Sequence, residues 1–229
     1  MSVRSLSVLA LGSLLALAAC SGGGDGDSSG GKSASESSSS SAGPKYTEFA
    51  DFPGEEIVAV DLAAPMGLRT KVVDAAWQTE LADSTAQAGN HILAVYVAVN
   101  TELDDRGLDD AKFHALTLGL RSGASAQDCE KALNGNQQPE NGICLGNASV
   151  TGQLEKVADD QWREHDWHNG DGGGVPLEPG QTLIGVIGFE LPDSTEIADD
   201  TVFCAPREND AIFTDHENCV AIPKLDARS

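Results

Sequence analysis

The stretch His91-Ile92-Leu93-Ala94-Val95-Tyr96-Val97-Ala98-Val99-Asn100 decides the fold class. Leu93, Val95, Val97 and Val99 recur with a period of two, and all but the first are β-branched. Residues spaced by two share one face of a strand, and β-branched side chains suit a pleated surface. On a helix the same four would point to different sides. The stretch therefore reads as a long strand with one face against a core.

Its neighbours carry the same signal. Residues 56–63 (EIVAVDLA) and 68–77 (LRTKVVDAAW) read as strands before it. After it come 112–122 (KFHALTLGLRS) and 181–192 (QTLIGVIGFELP). In 112–122, alternation sets Phe113, Ala115, Thr117 and Gly119 opposite His114, Leu116, Leu118 and Leu120. Short strands are expected at 200–205 and 218–225, with a further one at 149–157. Pro179-Gly180 marks a turn, because Pro presets φ and Gly supplies φ > 0. Helical potential is confined to one or two turns at Ala126–Asn134. Short alternating strands between Gly, Pro and Asp loops imply an all-β antiparallel sandwich over residues 46–229.

What precedes residue 46 is different. Arg4 and the amino terminus form a positive start, and Leu6–Ala19 is apolar but short of the roughly 20 residues that span a bilayer. Small residues close it, as in a secretory signal. Leu17-Ala18-Ala19-Cys20 resembles the lipobox of bacterial lipoproteins. That resemblance implies a diacylglycerol on the Cys20 thiol and removal of residues 1–19 as a signal peptide. An ordinary signal with a chance Cys is the alternative. Residues 20–45 then form a lipidated Cys and a Gly/Ser-rich tether. Ser21–Lys45 holds no large apolar residue, so burial cannot offset its ordering entropy. As a flexible coil it would reach roughly 25–30 Å. The expected address is the extracytoplasmic face of the cell membrane, held by lipid.

Charge narrows the partners. The chain carries 36 acidic against 14 basic residues, a formal net charge of −22. Nucleic acid and anionic lipid surfaces recruit Lys and Arg, so neither suits this domain. Membrane contact is expected through the lipid on Cys20 alone. Strong negative charge also favours a soluble monomer.

Four cysteines remain besides Cys20: Cys129, Cys144, Cys204 and Cys219. An even number in an exported chain implies disulfides, with three possible pairings. Cys129–Cys144 and Cys204–Cys219 are favoured, each closing a loop of 16 residues. Closure of that size stabilises by about 3 kcal/mol in the chain-entropy model. A zinc site is the rival, but zinc-type Cys pairs sit closer in sequence.

The strand ending VAVYVAVNT, then KFHALTLGLRSG, then LEPGQTLIGVIGFELP, resembles a family of Gram-positive lipoproteins. Its members carry a telokin-like, immunoglobulin-type sandwich, similar to the mycobacterial immunoprotective extracellular protein. The matching residues are Asn100, Thr101, Pro179, Gly180, Gly185, Phe189, Glu190 and Pro192, within 56–192. The resemblance implies an immunoglobulin-like fold and a surface address, with no catalytic residues and no cofactor. This chain departs from the pattern at 123–148, in the acidic TELDDRGLDD stretch and in the loop near 162–174.

That last loop, DDQWREHDWHNGDGGG at 159–174, crowds Trp162, His165, Asp166, Trp167, His168 and Asp171 together. Two tryptophans suit an aromatic platform for a sugar or a partner protein. His165 and His168 with Asp166 or Asp171 have the donors for a divalent metal. The plainer reading is a surface loop with one Trp tucked against the sandwich. The acidic stretch 102–110 has carboxylates for Ca²⁺ but lacks EF-hand spacing, so a solvated hairpin loop is favoured. No Gly-x-Ser-x-Gly elbow or paired Ser-x-x-Lys and Lys-Thr-Gly motifs occur. Only Met66 would remain for a Met-rich copper site once the signal is removed. The expected function is a non-enzymatic binding or interaction module with an envelope protein as partner. A metal-ion or small-solute binding lipoprotein is the second reading.

Overall fold

The computed structural model describes residues 46–60, 66–121, 144–158, 160–207 and 218–227. Among them the strands are β1 (Glu56–Val60), β2 (Gly67–Gln78), β3 (Glu80–Leu81), β4 (Ser84–Thr85) and β5 (Asn90–Thr101). They continue with β6 (Leu108–Ala111), β7 (Gly119–Arg121), β8 (Cys144–Asn147) and β9 (Val150–Thr151). The last four are β10 (Val175–Leu177), β11 (Leu183–Pro192), β12 (Val202–Cys204) and β13 (Cys219–Ala221). The described helical pieces are three short 3₁₀ turns, the first at Phe49–Asp51.

Among the described residues all strand pairings are antiparallel. One sheet runs β1-β2-β5-β11-β9 and a second runs β13-β12-β7-β8, with two small ribbons, β10-β6 and β3-β4. The strand read first, β5, is the centre of the larger sheet, paired with β11 along Asn90–Val99 and with β2 along Ile92–Thr101. Leu93, Val95, Val97 and Val99 do share a face, joined by Leu183, Ile187, Phe189 and Leu191 of β11. Leu120, Phe203 and Val220 of the smaller sheet, with Leu118 just before β7, close over them. Phe189 meets Phe203 edge-on, ring centroids 6.4 Å apart. Two sheets face to face around one apolar layer make the expected antiparallel sandwich.

The opposite face of β5 is buried as well. Ile92, Ala94, Tyr96 and Ala98 lie under Phe49, Phe52, Leu81, Trp162 and Trp167. Among the described residues this side is covered by a strap, the short β3–β4 ribbon and a loop. The strap is residues 46–52, in which the Asp51 carboxylate accepts from the backbone of Thr47 and Glu48 at 3.0 Å each. Those bonds hold the Asp51 carboxyl below its ordinary range. Phe49 lies beneath the cations of Arg69 and Lys71 at 5.0 and 5.1 Å, and Lys71 Nζ donates to the Phe52 carbonyl at 3.0 Å.

Most long strands lie where alternation placed them, and 112–122 does not. There the chain turns at Ala115–Thr117, with Thr117 Oγ1 donating to the His114 carbonyl at 2.8 Å, and only Gly119–Arg121 pairs as a strand. The turn changes phase, so Phe113, Leu118 and Leu120 reach one core while Leu116 is left 74% exposed. Glu178–Gln181 forms the expected turn, with Gly180 at φ 72° and Gln181 N–H donating to the Glu178 carbonyl at 3.0 Å. Cys204 and Cys219 sit opposite each other on β12 and β13 and form a disulfide, S–S 2.03 Å. Cys129, the Cys144 side chain, Cys20 and the stretch Ala126–Asn134 lie outside the described residues.

Candidate functional site

The geometry begins with a β-bulge. The register of β2 against β5 slips between Val72 and Asp74, leaving Val73 as the extra residue. A bulge sets two successive side chains on one side of the sheet. Val73 thus joins the loop-covered core and Asp74 follows it onto the same face. A carboxylate there needs partners, and the 162–168 loop supplies them. Trp162 Nε1–H donates to Asp74 Oδ2 at 2.8 Å, and Arg163 grips both oxygens at 2.6 Å through Nε and Nη2. Burial pushes the Asp74 carboxyl up, yet the Arg163 and Trp162 bonds outweigh it and hold it below its ordinary range. Arg163 Nη1 reaches Asp226 at 3.2 Å, and its own pKa is raised, Asp74 first among the causes.

Five residues on, Trp167 Nε1–H donates to the Trp162 carbonyl at 2.9 Å, so the second indole closes the loop onto the first. The Trp167 ring lies 6.4 Å from Tyr96 and takes His165 edge-on at 4.7 Å. His165 Nε2 and His168 Nδ1 then converge on one carboxylate, Glu155, each at 2.9 Å to a different oxygen. Burial works to raise the Glu155 carboxyl, but the His168 and His165 bonds overcome it and lower it. The Glu155 hydrogen bond is also the main reason His168 is raised above 6.5.

Beside this loop stands the β3–β4 hairpin. Its turn residues, Ala82 and Asp83, have φ of 47° and 64°. A two-residue hairpin needs that left-handed backbone, which Ala adopts only at a cost. Hairpin and loop enclose a cleft of about 430 Å³. Gln78, Tyr96 and Trp167 lie at its base; Glu80, Asp83 and Asp166 stand at its exposed rim. Gln78 Nε2 donates to the Tyr96 hydroxyl at 3.3 Å, and burial raises the Tyr96 pKa.

Two expectations for this region are corrected. Trp162 and Trp167 are each only 5% exposed, because both indoles complete the core under the loop and both N–H groups are used internally. They offer no platform. His165 and His168 are together, as expected, but their common partner is Glu155 rather than Asp166 or Asp171. Asp171 lies apart in a turn capped by the Asn169 side chain. Among the described residues no group of three or more His, Cys, Asp or Glu is placed to hold a metal ion. The acidic stretch is dispersed: Glu102 accepts from the Gly67 N–H at 3.0 Å and Asp104 pairs with Arg69 at 3.2 Å.

Sequence reasoning missed Asp74, Glu155, Arg163 and the hairpin. A signal existed for the first. Asp74 interrupts the apolar run KVVDAAW, and a lone carboxylate in a buried strand announces a partner. Nothing local marks Glu155, whose role depends on a turn ten residues later. No protein-family model, curated protein or solved structure matches the chain.

Proposed function

We propose that this is a lipid-anchored protein of the cell surface whose sandwich domain is a non-enzymatic binding module. The observation that carries the binding reading is the cleft of about 430 Å³ between the β3–β4 hairpin and the 162–168 loop. Its size lies within the range of small-ligand sites, and both walls are held by hydrogen bonds. His91, His165 and His168 each bond a carboxylate rather than a Ser or Cys hydroxyl or thiol, which supports binding over nucleophilic chemistry. The Leu17-Ala18-Ala19-Cys20 lipobox supports the anchor, with the domain on the extracytoplasmic face. The resemblance to telokin-like, immunoglobulin-type lipoproteins supports the same placement. The cleft favours a small solute, or a protruding group of an envelope protein, over a metal ion.

In-cell crosslinking of the full chain, followed by mass spectrometry and membrane fractionation, tests this. The chain should fractionate with membranes and Cys20→Ala should be released. One dominant crosslinked species should be lost in Thr85→Arg, which fills the cleft from an exposed position. Recovery equal to the uncrosslinked background, or release that ignores Cys20, would refute the corresponding half of the proposal.

A further inference from the structure

The 162–168 loop is an arch pinned at both ends. At one end Asp74 accepts from Trp162 Nε1 and from Arg163. At the other the Gln153 N–H donates to the His168 carbonyl at 2.9 Å. Between the pins, His165, Asp166 and Trp167 enter no backbone–backbone hydrogen bond among the described residues. These same three line the cleft. Their holds are side-chain ones: Trp167 Nε1–H on the Trp162 carbonyl, and the Glu155 clasp on His165 and His168.

Pins and clasp answer differently to pH. Burial opposes ionisation of Asp74, but the Arg163 and Trp162 bonds keep its carboxyl below the ordinary range, and Asp74 in turn raises Arg163. Neither changes charge near neutral pH, and the Gln153 pin is a bond between backbone groups. The clasp does change. His168 faces Glu155 from the segment after β9, Asp166 from its own arch and Asp83 from the hairpin on the facing wall, and it shares Glu155 with His165. Charged, His168 draws these carboxylates together; neutral, it leaves three like charges around one space. Its side chain is 70% exposed, so solvent protons reach it without unfolding. The Glu155 bond, first among the causes, raises His168 above 6.5, so its charge is full below 6.5 and lost as pH climbs through the raised value.

We propose that the arch is a pH-operated gate on the cleft, held shut by the Glu155 clasp in weak acid and released to lift between its pins as pH passes neutral. The gate goes beyond the binding-module reading: it belongs to the fold and holds whatever enters the cleft.

The two indoles carry the control for the test, one at a pin and one in the arch. Hydrogen exchange in the detergent-solubilised full chain, resolved by NMR and divided by intrinsic rates, should separate them. Between about pH 6 and about pH 8, protection of the Trp167 Nε1–H should fall about two- to fivefold, the range of an exposed ion pair, while Trp162 Nε1–H stays level. The Gln78 Nε2–H at the base of the cleft should follow Trp167. His168→Arg, charged throughout, should keep the protection seen in weak acid, and His168→Gln should be low at both ends. The His168 ring should titrate at lower pH in Glu155→Gln and, by a smaller step, in Asp83→Asn, where Asn tolerates the left-handed backbone.

A level Trp167, an equal fall at Trp162, or a fall that persists in His168→Arg would overturn the gate. A His168 titration unmoved in Asp83→Asn would overturn its reach to the facing wall.

Discussion

The two faces of β5 are equally dry but differently made. On one, Leu93, Val95, Val97 and Val99 meet the regular strands β7, β12 and β13. On the other, Ile92, Ala94, Tyr96 and Ala98 meet a strap, a hairpin and a loop. Strands cover a sheet by repetition, since each alternate residue adds contact. Loops lack that repetition, so a few polar clasps must hold them: Asp74 for Trp162 and Arg163, Glu155 for His165 and His168. The clasped face is also the one that carries a cleft with strained backbone at its lip. A covering assembled from separate pieces leaves seams between them, and a seam is where a ligand can enter.

The comparison can be broken from either side, and the sheet-covered face should respond most. Phe203 is fully buried between the sheets, so Phe203→Ala should cost about 3–5 kcal/mol in urea denaturation. Trp167→Ala tests whether the loop face is a core of the same kind. About 3 kcal/mol is expected, near the low end for a buried aromatic because a loop can resettle. A loss under about 1 kcal/mol would mean that the loop merely drapes over the sheet.

Asp74→Ala probes the clasp itself. It strands the Trp162 N–H and the Arg163 guanidinium on a half-buried surface, and about 1–3 kcal/mol should be lost. Hydrogen exchange should quicken across 162–168 and stay unchanged in β7 and β12. Uniform quickening would show that the two faces unfold as one unit.

The Glu155 clasp should give the smallest and most condition-dependent effect. The folded-state value of His168 is raised, so its contribution is full below 6.5 and disappears as pH climbs through the raised value. The folded-state value of Glu155 is lowered, so its contribution is full above 4.5 and disappears as pH drops through the lowered value. Protection of the 162–168 segment should therefore peak between 4.5 and 6.5 and decline on both sides. His168→Gln should abolish the decline on the alkaline side. A profile that stays flat in the native chain would remove the clasp from the account.

These two faces also explain what could be read in the sequence. The alternation of β5 and β11 and the Pro179-Gly180 turn were legible, because period two is a local property and both strands run ten residues or more. The Cys204–Cys219 pairing was favoured for the same reason, since a short polar loop joins its ends. The even-numbered residues of β5 were not recognised as a second core face. Ala and Tyr among them look neutral until Trp162 and Trp167 arrive from some seventy residues away. The 112–118 segment misled because a Thr117 side-chain bond makes a turn that alternation does not register. The cleft was illegible for a related reason. Gln78, Asp83, Tyr96 and Asp166 are ordinary residues until a bulge and a strained hairpin bring them to one place.

The strap at 46–52 has a mechanical consequence. Any tension along the chain from its amino-terminal side is delivered here before it reaches a sheet. It meets the Asp51 turn, then Phe49 under Arg69 and Lys71, then the Lys71 bond to the Phe52 carbonyl. These attachments yield one at a time, as a zipper does, rather than together as in a sheared pair of strands. Tyr46 stacks on Phe52 at 4.7 Å and lies 6.1 Å from Trp162, so the first links to give are also the shutter over the loop core. A pull applied at Tyr46 would loosen the wall of the cleft while the disulfide-linked sheet stayed shut.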